Sequence, residues 1–246
     1  MGSIAQRVES AGSIVTLVSG ELVTCDLAVV PYREAMDLQE RLRARRQAGE
    51  LPDVLLLLEH PPVYTRGRRS DAAELPMGED WYRAQGIDVV QTDRGGKLTY
   101  HGPGQLVGYP IMAISDVVAY LRTMESAIVA ALGDMGIAAG PREGLTGVWA
   151  NERKIGSIGV HVSRGVTTHG FAINVENDLQ PFEWVVPCGL EGVRMTSVGR
   201  ELRAARPGQL APFRRAIAAR FAEAFGRSAR SVALEDLHEA PVALGA

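Results

Sequence analysis

The sequence predicts an α+β domain, a mixed and largely antiparallel sheet flanked by helices, and three observations carry that expectation. Strand-like segments cluster instead of alternating strictly with helices, which argues against a doubly wound parallel sheet. Short glycine-containing turns join several of them. Two longer segments repeat apolar residues at spacings of three and four, the signature of helices with one face to lay on a sheet.

Ile14 to Val18 reads as a first strand. After Pro31, the arginine-rich stretch from Tyr32 to Arg46 reads as an outer helix stopped by Gly49 and Pro52. Val54 to Leu58 is a continuous apolar run between Pro52 and Pro61, too short for a typical helix and therefore a buried strand ending near His60. Ile87–Gln91, Lys97–His101 and Gln105–Met112 are three more strands, expected to pair sequentially and antiparallel across their short turns. Ser115 is the expected N-cap of a helix whose Val118, Leu121, Met124, Ile128, Leu132 and Met135 share a face, with Gly136 at its C-terminal end. Thr146–Ala150, Ile155–Ser163 and His169–Val175 follow as half-buried strands, the last two alternating through Ile158, Val160, Val162 and Phe171, Ile173, Val175. Pro212 to Phe225 closes the series, with Phe213, Ile217, Phe221 and Phe225 at spacing four and Gly226 as the stop.

The 246 residues show no internal repeat and no break in composition, which predicts one domain over residues 1–228 and a loosely ordered tail over 229–246. Hydrophobic residues at 46% and charged residues at 22% belong to an ordinary soluble globular chain. A net charge of −3 gives no bulk electrostatic reason to expect nucleic acid. The densest basic patch, Arg66, Arg68 and Arg69, has the ordinary reading of a solvated loop. Two cysteines are too few for a disulfide framework, no export or anchoring signal is legible, and no apolar run approaches the roughly 18 residues of a membrane span. A reducing cytoplasm is the expected compartment.

Between Arg94 and Tyr109 the chain reads R-G-G-K-L-T-Y-H-G-P-G-Q-L-V-G-Y. Glycines thin out side chains along the whole segment, where a simple hairpin needs only one or two. It reads as a cradle whose backbone something approaches. Lys97 is either a polar hairpin residue or, with Arg94 and Tyr100, a donor toward a carbonyl or a carrier's phosphate-bearing arm. The nucleotide pattern G-x-x-x-x-G-K-[ST] is not met, and neither is G-x-G-x-x-G opening a helix.

Cys188 stands in V-V-P-C-G-L, where local sequence alone favours an inert buried cysteine, and Cys25 has the same reading. Lys154 opens an apolar strand, where a lysine usually marks a solvated end. Together the two suggest more. A free thiol of pKa about 8.5 is only a few per cent ionised at neutral pH, and a nearby cation that lowers it by about two units supplies roughly 2.7 kcal/mol. His60, His101, His161 and His169 lack zinc-site spacing, and neither H-E-x-x-H nor C-x-x-C occurs, so no metal is expected.

L-L-L-L-E-H-P-P-V-Y-T from Leu55 to Thr65, R-G-G-K-L-T-Y-H-G-P-G-Q-L-V-G-Y-P from Arg94 to Pro110, K-I-G-S-I-G-V from Lys154 to Val160, H-G-F-A-I-N from His169 to Asn174, and P-C-G from Pro187 to Gly189 resemble, in this order, the octanoyltransferases of lipoate biosynthesis, the LipB family. The resemblance implies transfer of an octanoyl group from acyl carrier protein to a lysine of a lipoyl domain, in 2-oxoacid dehydrogenase E2 subunits and the glycine cleavage H protein. It implies Cys188 as the nucleophile of a thioester acyl-enzyme and Lys154 as the residue that lowers its pKa and moves protons. It implies substrate-binding stretches at Arg94, Gly95, Gly96, Lys97, Leu98, Thr99, Tyr100 and His101, at Ser157, Ile158 and Gly159, and at Gly170, Phe171 and Ala172. The fold implied is that of biotin and lipoate protein ligases, with no cofactor and no metal. On this reading apolar strand residues and Gly159 leave a narrow acyl slot, His101 and His169 support the pocket or orient the incoming lysine, and the Arg66–Arg69 patch is a surface for an acidic carrier. An ATP-dependent ligase of the same fold and a non-catalytic carrier-binding module are the rival readings.

Overall fold

The apolar run after Pro52 becomes the middle of an eight-stranded mixed sheet. The computed structural model describes residues 20–185, 193–203 and 208–239. In chain order its elements are β1 (Gly20–Val29), α1 (Tyr32–Gln47), β2 (Asp53–Glu59), β3 (Val63–Arg66), α2 (Glu79–Ala84), β4 (Asp88–Gln91), β5 (Thr99–His101), β6 (Gln105–Ile111), α3 (Val117–Asp134), β7 (Gly140–Arg142), β8 (Leu145–Ala150), β9 (Arg153–Ser163), β10 (Val166–Asn174), α4 (Val198–Glu201), α5 (Leu210–Ala224), β11 (Arg227–Ser231) and α6 (Leu234–Glu239). The large sheet runs β11-β1-β2-β6-β10-β9-β8-β7. β1 lies parallel to both its neighbours, and every other pair is antiparallel.

Helices cover both faces of this sheet, which is why β2 carries no polar alternation. Leu55 and Leu57 point into a core built with α3 and α5, where Met124, Ile128, Phe213, Ile217 and Phe221 meet Phe171 and Ile173. Val54, Leu56 and Leu58 point the other way, onto Ala35, Leu38 and Leu42 of α1. Each leucine so buried contributes about 2 kcal/mol relative to exposure. The same double coverage buries β10 on both faces, where alternation predicted a half-buried strand. No helix among the described residues is long and apolar enough to cross a membrane.

The expected sequential antiparallel pairing of the three middle strands is not what forms. β4, β3 and β5 make a separate small sheet in which β3, only four residues long, sits in the centre, parallel to β4 and antiparallel to β5. β6 leaves for the large sheet because the turn before it is pinned there: the Gly104 N–H donates to Glu59 Oε2 at 2.7 Å, and its carbonyl accepts from Glu176 N at 2.9 Å. The cap of α3 also differs from expectation. Asp116, not Ser115, accepts from the N–H groups of Val118 and Ala119, and its carboxylate suits the positive end of the helix dipole. Val118, in the first turn, is 68% exposed and lies off the apolar face. The strand expected at Ile14–Val18 lies outside the described residues. Past Ser228, β11 pairs with β1 and α6 buries Leu237.

Candidate functional site

Two loops zip together at the edge where the small sheet meets β9. Arg68 N–H donates to the Arg94 carbonyl and Arg69 N–H to the Gly96 carbonyl, each at 3.1 Å, while Gly95 N–H donates to the Val160 carbonyl at 2.9 Å. Glycine is required at two of these approaches. A β-carbon at Gly67 would stand 2.5 Å from the Gly96 oxygen, and one at Gly159 would stand 2.8 Å from the Gly95 oxygen. At Gly159 the Gly95 carbonyl stands where a side chain would begin. Arg94 is buried and staples the zip: its guanidinium donates to the Thr65 carbonyl at 2.5 Å, to Thr65 Oγ1 at 2.8 Å and to the Gly95 carbonyl at 3.1 Å. Glu74 holds the next residues, accepting from Leu98 N–H at 3.0 Å and facing Lys97 Nζ at 3.5 Å.

Behind the zip lies a cleft of about 60 Å³ that gathers most of the sequence-predicted site. Arg94, Gly96, Lys97, Leu98, Thr99 and His101 form one wall, and Lys154, Ser157, Ile158, Gly159, Gly170, Phe171 and Ala172 form the other. Gly95 lines an adjoining groove of about 450 Å³, which shares Gly96, Lys97, Lys154, Ile158 and Gly159 with the cleft and extends to Arg69, Val117, Leu121, Thr146 and Trp149. Tyr100 is not brought to either cavity. On β5 it alternates with Thr99 and His101, so its ring packs in the satellite core against Tyr64 and Phe182. Cys188 lies outside the described residues.

Lys154 stands at the junction of cleft and groove and is only 6% exposed. Its N–H donates to the Arg194 carbonyl and its carbonyl accepts from Thr196 N–H, both at 2.9 Å, so the chain after residue 192 runs beside it. Gly147 makes room for the side chain: a β-carbon there would lie 2.9 Å from Lys154 Cε. Trp149 offers its ring to the ammonium, with Nζ 5.8 Å from the centroid. The buried carboxylate of Glu125 on α3 accepts from Gly147 N–H at 3.0 Å and fixes β8 under the lysine. Sequence reasoning missed Gly147, Trp149 and Glu125; a glycine inside the strand pattern T-G-V-W is the one signal that could have flagged them.

Beneath the cleft lies a buried polar layer of Tyr32, His60, His101, Tyr109 and His169. His169 has a left-handed backbone, φ 57°, which costs a non-glycine residue about 1–3 kcal/mol. In return its N–H donates to Gln39 Oε1 at 2.6 Å and its Nε2 reaches Asp93 Oδ1 at 2.7 Å. That hydrogen bond first, and then the nearby imidazoles, hold Asp93 down to about 2 against its burial. His60 Nδ1 lies 2.6 Å from the Val30 carbonyl, which can only accept, so Nδ1 carries the proton and Nε2 accepts from the Tyr109 hydroxyl at 2.7 Å. Burial lowers His60 to about 4, and burial also lowers His101 and His169. These rings are neutral at pH 7.

A buried histidine with a lowered pKa makes the protein acid-labile. Below pH 6.5 the unfolded chain binds a proton that folded His60 refuses until about pH 4, so its contribution to stability falls across that window. At pH 4.5 the loss from His60 alone is about 2 kcal/mol relative to pH 7. Urea unfolding of the parent and of His60→Gln at both pH values checks this: the variant should lose less stability than the parent on acidification by about that amount. An equal loss in both would contradict it.

The lipoyl protein ligase A/B catalytic domain family matches this chain over residues 31–222. An octanoyltransferase from Solibacter usitatus is 53% identical over 168 residues, covering 67% of this chain and 76% of that protein. One from Rubrobacter xylanophilus is 46% identical over 202 residues, covering 80% and 90%. Among solved structures, that of a bi-partite lipoate protein ligase and its E2 lipoyl domain from Thermoplasma acidophilum matches with a TM-score of 0.67 at 21% identity, covering 89% of this chain and 90% of that one. Lipoate-protein ligase A bound with ATP matches with a TM-score of 0.66 at 20% identity, covering 89% and 92%. At such identities the structures establish the fold, a mixed sheet with flanking helices. The family match across most of the domain and the identity to the curated relatives place this chain in the lipoyl protein ligase A/B catalytic domain family, among the LipB-type octanoyltransferases.

Proposed function

We propose that this acyltransferase moves an octanoyl group from octanoyl-acyl carrier protein to a lysine of a lipoyl domain, through a thioester on Cys188. The observation that carries the reading is the position of Lys154, buried where cleft meets groove and bonded through its backbone to Arg194. Arg194 is six positions on from Cys188, so their α-carbons lie at most about 20 Å apart. Cys188 is thereby tethered within that span of Arg194, the residue bonded to the Lys154 backbone. Cys25 does not compete, since it is fully buried in β1 and its thiol is pushed up to about 11.

In the first half-reaction the Cys188 thiolate attacks the donor's carbonyl carbon. The carbon–sulfur bond to the carrier breaks, and the proton that left Cys188 returns, by way of Lys154, to the carrier's sulfur. In the second, the neutral amine of the acceptor lysine attacks the acyl-enzyme, an amide forms, and Cys188 leaves as thiolate while the amine's proton passes to Lys154. Thioester exchange is nearly balanced and amide formation runs downhill. No nucleotide is needed. The cleft residues Arg94 to His101, Ser157 to Gly159 and Gly170 to Ala172 would hold the acyl thioester, with Gly95 on the groove side and Tyr100 acting through the packing of β5. E2 subunits and the glycine cleavage H protein are the proposed acceptors, in the cytoplasm.

Incubating the protein with octanoyl-carrier and a lipoyl domain, with and without ATP, tests the assignment. Octanoylated lipoyl domain is expected in both arms at the same rate. Product only with ATP would instead make the chain a ligase, and no product with stable carrier binding would make it a binding module.

A further inference from the structure

Resting on that reading, we propose that the groove beside the cleft seats the phosphate-bearing arm of the acyl carrier, with Arg69, Arg68 and Lys97 holding the arm's phosphodiester at its mouth. The sequence offered a basic patch with the ordinary fate of a solvated loop. The fold treats its members differently. Arg66 turns away into an ion pair with Glu79 at 3.1 Å, while Arg68 and Arg69 are tied by their N–H groups to the carbonyls of Arg94 and Gly96. Their backbone is therefore fixed against the groove wall instead of floating on a loop.

Among the described residues their side chains make no hydrogen bond or ion pair. Arg41 and Arg215 among those residues also make no ion pair, but unlike Arg69 they line neither the cleft nor the groove. Both are exposed, and Arg69 lines the groove with Lys97. A guanidinium without an ion pair on the groove lining, as at Arg69 with Arg68 next to it in sequence, suits a phosphodiester, which it binds through parallel N–H donors.

The groove carries the kinds of surface that the arm would need. Val117, Leu121, Leu145 and Trp149 supply apolar walls to the groove that also carries Arg69, Lys97 and Lys154. A thioester arm is reactive at its tip, mostly apolar and amide along its length, and anionic at its root. With its tip at Lys154, the arm has apolar walls and the cations of Arg69 and Lys97 within the same groove. The cleft of about 60 Å³ is too small for arm and acyl chain together, whereas the groove of about 450 Å³ has room for the arm.

Three donors separate the contributions: octanoyl-carrier protein, octanoyl-phosphopantetheine and octanoyl-pantetheine, the last lacking the phosphate. The R68E/R69E variant leaves both backbone hydrogen bonds available, and R68Q/R69Q serves as a second variant that removes charge without reversing it. We expect KM for both phosphate-bearing donors to rise tenfold or more in R68E/R69E, kcat to stay within twofold, and the parameters for octanoyl-pantetheine to stay as in the parent. R68Q/R69Q should fall between. A rise confined to the whole carrier would assign these arginines to the carrier's acidic surface and overturn the proposal, as would equal rises for all three donors or no rise for any. Failure of the acyl-transfer reading itself shows separately, as a parent protein that turns over none of the donors.

Discussion

Replacing Cys188 by alanine is expected to abolish octanoyl capture, while Cys25→Ala leaves it intact. The contrast rests on what each thiol can do at pH 7. Cys25 pairs with Leu56 across β1 and β2, and burial first, then Asp26 and Asp236, push it up to about 11. Its thiolate fraction is then on the order of 10⁻⁴. Water and donor also lack access to a side chain with no exposed surface. Intact-mass measurement after incubation with octanoyl donor should show an adduct on the parent and on Cys25→Ala, and none on Cys188→Ala. An adduct surviving in Cys188→Ala would overturn the nucleophile assignment. Lys154→Met should retain the thiol yet lower turnover by about 10²- to 10⁴-fold, the range lost with a positioned proton-transfer group. It should also move the alkylation profile of Cys188 to higher pH, because the cation that favours thiolate is gone. An unchanged profile would separate Lys154 from the thiol.

Much of this architecture was legible because burial is written into composition. Four consecutive leucines in β2 announce a strand covered on both faces, and Phe213, Ile217, Phe221 and Phe225 at spacing four announce α5. β3 was not legible, since four residues V-Y-T-R carry too little period to separate a strand from the loops around it. Without it, the strands on either side of it pair with each other by default. The glycines were visible, but their reason was not. Gly67 and Gly159 are small so that one loop's carbonyls can touch another's backbone, a fact about residues far apart in sequence. Tyr100 could have been excluded from the cavity by period alone, because Thr99 and His101 flank it on a strand and face the cleft. Arg94 illustrates the converse. Sequence marks it as a polar group in the cradle, and the fold buries its guanidinium against Thr65, where it builds the wall of the cleft.

Gly147→Ala is expected to cost stability and turnover together, because Gly147 serves both the sheet and the lysine. Its φ of 129° is open to glycine and strained for any residue with a β-carbon, and the added carbon would stand 2.6 Å from the Gly156 oxygen and 2.9 Å from Lys154 Cε. Strain of this kind costs about 1–3 kcal/mol and overpacking a similar amount, so a total near 3 kcal/mol should lower Tm by roughly 6–12 °C in a chain of this size. Neither β8 nor the lysine can yield without loss. If the strand shifts, the hydrogen bond from Gly147 N–H to Glu125 stretches; if Lys154 moves, its ammonium leaves the junction of cleft and groove. Glu125→Ala attacks the same support from the helix side, stranding a buried N–H at about 1–3 kcal/mol, whereas Glu125→Gln keeps an acceptor oxygen and should cost less. Gly133→Ala, in α3 with open space around it, is the control and should be neutral or slightly stabilising. Thermal unfolding with kcat on the same preparations checks the set. A Gly147→Ala protein with parental Tm and kcat would show that Lys154 does not depend on the gap beneath it.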